Sequence, residues 1–352
     1  MFITGIGTAN PPRRYTQAEC WEALRASRQF KQLDRRARTV LQKVLLGENG
    51  IRTRYLALDP LTDVFDATPD VLHQRFARHA PLLAAQAAES ALRQAGHQAD
   101  GIDAVIVSTC TGYLCPGLTS YVAESLGLRG DVLGLDLVGQ GCGAALPNLR
   151  TAEALLAAKR CKRVLSICAE VCSAAFYIDN DLGVLISDCL FGDGAAAAVL
   201  EDAPNQRFRR IEWKETASRI DPSERDTLRF EQRNGMLRNI LTPPVPQIAA
   251  RSAELVLSDV LNKTGVSRDQ ISTWIWHAGG RDVLASLQQQ LGLAAGDLCW
   301  SSSVLSEYGN LSSPFVFFVL QAALKGNAPG GWWWLSSFGA GFSCHGTLLH
   351  IQ

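Results

Sequence analysis

Cys142, His277 and Asn310 are the residues whose types and settings could do chemistry. Cys142 lies in DLVGQGCGAALPN, where an apolar run ends and an alanine- and leucine-rich helical pattern begins. A thiol at a helix start sits in the positive end of the dipole, which favours thiolate. Gly141 and Gly143 let the chain turn sharply and let a substrate come close. Backbone N–H groups there suit an oxyanion. Alone, a Cys among alanines reads as a small packed hydrophobe. His277, in WIWHAGGRD, ends a strand-like run beside tryptophans and is followed by small residues that make poor core and good site wall. Asn310, in SEYGNLSSP, has an N-cap or turn reading beside its functional one. Taken together, a Cys, a His and an Asn form a nucleophile set. Two chemistries fit. One is acyl hydrolysis, with His as base and Asn orienting it. The other is acyl transfer with carbon–carbon bond formation, where His and Asn both donate to a thioester carbonyl and stabilise an enolate.

The whole chain sets bounds on these readings. Its 352 residues, 47% hydrophobic and 19% charged, suffice for a large core in one or two domains. A net charge of zero gives no global electrostatic case for nucleic acid or an anionic membrane. The start, MFITGIGTANPPRRY, lacks a signal-peptide pattern, and PFVFFVLQAAL from Pro314 is too short to span a bilayer. Ten cysteines without a CxxC pair point to reduced thiols in the cytoplasm and away from structural zinc.

The elements that must position the three residues recur in the chain. PLLAAQAAESALRQAG predicts an amphipathic helix ending at Gly96, followed by Ile102 and the strand-like DAVIVSTCTG. VPQIAARSAELVLSDVLNKTG predicts a helix ending at Gly265, followed by Ile271 and STWIWHAGG. Both glycines and both isoleucines are 169 residues apart, and Cys142 and Asn310 are 168 apart. Ser267 and Gln270 have capping-box spacing. FGDGAAAAVL at Phe191 matches FGAGFSCHGTLL at Phe338. That offset is only 147, so the first half carries about twenty extra residues between Cys172 and Phe191. Alternating strands and helices favour a layered α/β protein. The polar EDAPNQRFRR divides it into halves, 1–203 carrying the Cys and 204–352 carrying the His and Asn. The duplication places Cys142 and Asn310 face to face across a pseudo-twofold centre, with His277 at a third strand end.

Nearly end to end, the chain resembles a type III polyketide synthase, the chalcone synthase-like branch of the thiolase-fold condensing enzymes, with details closer to bacterial than to plant members. The resemblance rests on IGTANPP, IRTRYL, STCTGYLCPGL, GQGCGAALPNL, LFGDGAA, WHAGG, YGNLSSP and SSFGAGFSCHG, in that order. It implies a thiolase-like fold of duplicated α/β halves in α-β-α-β-α layers. It implies Cys142 as the acyl-accepting nucleophile, held as thiolate by a His277 imidazolium. His277 and Asn310 would form the carbonyl-binding hole that promotes malonyl decarboxylation. Phe191 matches the family's gate, Cys110 a cavity wall and Gly235 a cavity floor. Phe338 and Gly339 lie in the glycine-rich loop framing the cavity. No metal or redox cofactor is implied. A cytoplasmic homodimer acting on acyl-CoA and malonyl-CoA is, with the extra residues after Cys172 in its interface.

Departures are visible too. Leu, Val and Glu stand in RTVLQKVLLGENGIRTRYL where family members carry cations for the coenzyme A phosphates. Nine Lys or Arg against two acids between Arg25 and Arg54 still make a basic face, suited to those phosphates or to an acyl carrier protein. The competing readings are a ketoacyl synthase III-like enzyme making one condensation, a non-catalytic acyl-binding subunit, and a cysteine hydrolase.

Overall fold

Each half is built on a long helix stopped by a glycine. Thr68 caps the first helix, Pro69–Ala95, and Gly96 ends it at φ 75°. Gly265 ends its counterpart, Val245–Thr264, at φ 68°. Both stops use the left-handed conformation that glycine adopts without strain. The capping box after the second helix forms, with Gln270 Oε1 accepting the Ser267 amide at 2.8 Å.

The computed structural model describes residues 1–207 and 209–352. Its strands are β1 (Phe2–Ala9), β2 (Arg14–Thr16), β3 (Thr53–Tyr55), β4 (Ala104–Ser108), β5 (Leu133–Leu137), β6 (Arg163–Glu170), β7 (Gly194–Glu201), β8 (Ile211–Ile220), β9 (Leu228–Arg233), β10 (Met236–Leu241), β11 (Ile271–Trp276), β12 (Gly331–Gly339) and β13 (Ser343–Ile351). Its helices are α1 (Gln17–Ala26), α2 (Arg28–Gln32), α3 (Arg35–Leu46), α4 (Pro69–Ala95), α5 (Leu118–Leu126), α6 (Ala145–Ala157), α7 (Leu182–Leu190), α8 (Val245–Thr264), α9 (Arg281–Leu291), α10 (Cys299–Tyr308) and α11 (Phe315–Lys325).

Nine strands hydrogen-bond in the order β11-β12-β13-β8-β1-β7-β6-β4-β5. The order is symmetric about its middle. Reading outward, β1, β7, β6 and β4 mirror β8, β13, β12 and β11, and β5 has no counterpart. The two half-sheets meet through only two residue pairs, Phe2 with Glu212 and Ile3 with Ile211. Helices fill the layers. α4 packs on β1, β7 and β6, and α8 packs on β13 and β8. α6 contacts strands of both halves, as does α11. They form the shared middle layer of an α-β-α-β-α arrangement. The strands of this core are buried on both faces, as β7 shows with GAAAAVL, so they read as continuous apolar runs.

The roughly twenty extra residues of the first half supply a short turn at Cys172–Ala175 and helix α7. Opposite them stands the β9–β10 hairpin, a separate two-stranded sheet. Its turn is Asn234-Gly235, both at positive φ, the pair that two-residue hairpin loops favour. Arg238 of β10 pins the hairpin to α7, its Nε donating to Asp181 at 2.6 Å. Among the described residues, no helix is long and apolar enough to cross a membrane.

Strand β1 and helix α4 approach so closely that a Cβ on Gly7 would lie 2.1 Å from the Ala87 carbonyl oxygen and 2.4 Å from the Ala91 nitrogen. Both are backbone atoms and cannot swing away. Gly7→Val should therefore cost roughly 3 kcal/mol by overpacking, read as a lower midpoint in urea unfolding.

Candidate active site

The Cys142 thiol stands at the start of the middle layer. A short turn at Gly141–Gly143 carries Cys142 into α6. A Cβ on Gly143 would lie 3.0 Å from the Gly339 backbone. Ser337 Oγ donates to the Gly143 carbonyl at 3.0 Å. The end of β12 is thus laid directly against the Cys142 turn. Gly339 and the buried Phe338 therefore lie beside the Cys142 turn.

The second half delivers Asn310 to the same place. The Asn310 amide donates to the Leu190 carbonyl at 2.9 Å, and the Gly192 amide donates to the Asn310 carbonyl at 3.0 Å. Phe191 and Asn310 form an isolated β-bridge. The Asn310 side chain is fixed at both ends. Its Nδ2 donates to the Gly279 carbonyl at 3.2 Å, and its Oδ1 accepts the Ser312 amide at 2.8 Å.

Ser312 connects the set. It sits at φ 59°, a strained conformation for a residue with a side chain. Its Oγ lies 3.3 Å from Cys142 Sγ, 3.3 Å from Cys110 Sγ and 3.4 Å from Glu170 Oε1. One hydroxyl proton serves only one of these at a time. Glu170, the last residue of β6, is 0% exposed. It accepts from Ser313 Oγ at 2.5 Å, Thr111 Oγ1 at 2.9 Å, the Cys110 amide at 3.0 Å and Thr109 Oγ1 at 3.1 Å. Burial raises its pKa, and these donors oppose the shift.

The thiol and the imidazole are both neutral here. Burial pushes Cys142 up to about 12, eased by the Ser312 hydrogen bond and reinforced by the Glu170 charge. Burial pushes His277 down to about 3. The His277 ring stands edge-on to Phe315 at 5.3 Å and to Phe338 at 6.5 Å, and its Nδ1 is buried without a partner. Burial thus works against the expected imidazolium–thiolate pair. A low-dielectric pocket disfavours both charges, and no mutual hydrogen bond offsets that cost.

Beyond Ser312 lies a small cavity, lined among others by Thr111, Cys172, Phe176, Phe191 and Ser312. Phe191 is thus at the cavity wall beside Asn310. Cys110 touches the site through Ser312 and Glu170. Burial and the nearby Glu170 charge raise its pKa well above the usual thiol range. Gly235 is a correction. It is exposed in the hairpin turn against Pro69, and Phe230 and Asn239 of that hairpin line the cavity instead. Sequence reasoning missed Ser312 and Glu170. Ser312 stood two residues past Asn310 in a motif already singled out. Glu170 was a lone acid ending an apolar strand, which is itself a signal. The FGDG aspartate is structural: Asp193 accepts from Ala57 and Ser173. No cluster of metal-ligating side chains occurs among the described residues.

A duplicated α/β frame that brings a helix-start thiol to an Asn from the other half defines a thiolase-like architecture. Residues 2–204 match the family model for the N-terminal domain of chalcone and stilbene synthases, and residues 216–351 match the C-terminal domain. The chain is 29% identical to the 3,5-dihydroxyphenylacetyl-CoA synthase of Streptomyces toyocaensis, over 99% of this chain and 89% of that protein. It is equally similar to the enzyme of that name from Amycolatopsis balhimycina, covering 92% of it. The PKS-I structure from the brown alga Ectocarpus siliculosus superposes with a TM-score of 0.90 at 27% identity, over 99% of this chain and 98% of that one. Tetrahydroxynaphthalene synthase from Streptomyces coelicolor shares the fold, with a TM-score of 0.88 at 23% identity, over 100% of this chain and 99% of that one. The chain belongs to the chalcone and stilbene synthase family, the type III polyketide synthases.

Between its ordinary value of 6.5 and about 3, His277 binds a proton in the unfolded chain and not in the folded one. Its contribution to stability is therefore complete above 6.5 and is lost as pH falls. His345, pushed down to about 4, acts the same way. His277→Gln should remove up to one proton from the slope of unfolding free energy against pH. Urea titrations between about pH 7 and 5 would measure it.

Proposed function

We propose that Cys142 accepts an acyl starter from a thioester and that His277 and Asn310 bind the extender carbonyl. As the starter's carbonyl carbon bonds to Cys142 Sγ, the thiol proton leaves and the starter's carrier thiol departs. A neutral His277 is the base for that proton, because an imidazole held uncharged can accept one. Malonyl thioester then binds with its carbonyl toward His277 and Asn310. One N–H of Asn310 Nδ2 is taken by the Gly279 carbonyl, which leaves the other for the substrate. Carbon dioxide departs, and the enolate oxygen is stabilised by those two donors. The enolate carbon attacks the acyl-Cys142 carbonyl, the carbon–sulfur bond breaks and Cys142 is regenerated. Repetition builds a β-keto chain that then cyclises. A wall of Phe176 and Phe191 keeps water from protonating the enolate.

The observation that carries this reading is the chain Asn310–Ser312–Cys142, of which Ser312 lines the cavity. It links the carbonyl-binding amide to the nucleophile within hydrogen-bond contacts of 2.8 and 3.3 Å. Acyl-CoA and malonyl-CoA are the substrates, with an acyl carrier protein as the other source. A homodimer is supported by the edge position of β5 and the exposed Leu133 and Val138 beside it.

Incubation with malonyl-CoA and a panel of acyl-CoA starters, read by mass spectrometry, tests the reading. Products should grow by successive two-carbon units, and Cys142→Ala should make none. Asn310→Ala should slow malonyl decarboxylation by about a hundredfold while the starter still acylates Cys142. A single extension from every starter would favour the ketoacyl synthase III-like alternative. Free acid released without malonyl-CoA would favour a hydrolase.

A further inference from the structure

The cavity wall carries buried polar groups that the condensation does not use. Both carboxyl oxygens of Asp188, on α7, are buried without a hydrogen-bond partner. Asn239, on β10, is 6% exposed, and its Oδ1 is also unpartnered. The orientation of that amide is fixed by its neighbour. Ser187 Oγ donates to the Gly183 carbonyl at 2.7 Å, so it must accept from Asn239 Nδ2, also at 2.7 Å. The Asn239 oxygen is left without a donor. Asp188 and Asn239 line the same cavity as Phe191 and Ser312.

Leaving three such oxygens buried and unpaired is expensive. The surroundings of Asp188 do not remove the need for a partner. The nearest cation, Arg54, spends its Nη1 on the Asp188 and Phe191 backbone carbonyls and its Nε on Gln17. The Tyr177 amide is close enough to ease the burial of the carboxyl, but not aligned to donate to it. Burial raises the Asp188 pKa well above the usual carboxylate range, which favours the neutral acid. A neutral carboxyl both donates and accepts, and the Asn239 oxygen accepts. An enolised β-dicarbonyl presents the complement: one O–H and one C=O on carbons separated by a single carbon. Phenolic hydroxyls present the same donors.

We propose that Asp188 and Asn239 are specificity-determining residues that hydrogen-bond the oxygens of an enolised or phenolic acyl chain in the cavity beyond Phe191. This rests on the reading of Cys142 as the acyl site, but its test does not require turnover. A site built to hydrogen-bond a hydroxyl rejects the analogue lacking it far more strongly than an apolar pocket rejects a missing methylene. The cavity therefore selects oxygenated chains over alkyl chains of equal size.

The test measures binding of orcinol and of toluene, which differ by two hydroxyl groups, to Cys142→Ala protein by calorimetry. The same pair is measured with Asp188→Leu and Asn239→Leu added singly. Orcinol should bind at least about tenfold more tightly than toluene. Each leucine substitution should erase most of that ratio, and Asp188→Asn should keep part of it. Circular dichroism confirms folding, and if Asn239→Leu misfolds, the Asp188 pair decides. Equal affinities for the two probes would overturn the proposal, as would discrimination that survives Asp188→Leu in a folded protein. In active enzyme, Asp188→Leu should also shift products toward shorter chains. Failure of the wild type to acylate Cys142 would instead count against the condensing reading and leave the binding result standing.

Discussion

The main-chain bridge between Phe191 and Asn310 is the constraint on which the site depends. It ties the end of α7 to the turn before α11, and so joins the halves where the chemistry happens. Two glycines make it close enough. A Cβ on Gly192 would lie 2.3 Å from the Tyr308 carbonyl oxygen, and one on Gly309 would lie 2.6 Å from the Leu190 carbonyl oxygen. Gly309 also holds φ 69°, which favours glycine. The glycines of the FGDG and YGN motifs are therefore explained by contact with each other's strand end. Because the bridge is made of backbone groups, no side chain is spent on it. Phe191 and Asn310 are free to face the cavity chemistry.

The second principle of the site is that charge is absent until needed. Cys142 and His277 rest neutral because burial disfavours both ions. Glu170 is the exception in kind. Several short hydrogen bonds converge on it, and they do for a carboxylate what water would otherwise do. Ser312 then links that carboxylate to the thiol through one rotatable hydroxyl. A proton position near Cys142 is thus set by a residue held in a strained backbone, whose amide is in turn gripped by Asn310. Nucleophile, carbonyl donor and buried acid form one hydrogen-bonded unit.

Much of this was legible in the chain. The recurrence of helix, glycine and strand at a constant offset gave the halves, and the sheet order is the spatial form of that recurrence. Gly96 and Gly265 stop helices because each needs a left-handed residue, a local requirement that sequence displays. Cys142 and Asn310 were legible for the same reason, as matched ends of matched elements. Ser312 and Glu170 were harder. Each acts through contacts more than a hundred residues away in sequence, and nothing local marks them except a polar letter in an apolar context. Gly235 was misplaced for a related reason. Its Asn-Gly pair announces a hairpin turn, but which face of the hairpin meets the cavity depends on the docking to α7 through Arg238 and Asn239.

The central place of β1 has a consequence for how the molecule is made. Strand β1 is the one that the other strands of the large sheet are built around. Its partner β7 begins at Gly194 and its other partner β8 at Ile211. Until the chain is about two hundred residues long, β1 has no strand on either edge. Helix α4 reaches it first, because the glycines of β1 let the helix backbone lie against it. That early helix–strand pair shields a bare apolar strand through the longest wait in synthesis, when unpaired edges are most prone to join other chains. The seam between the two half-sheets is the last to close.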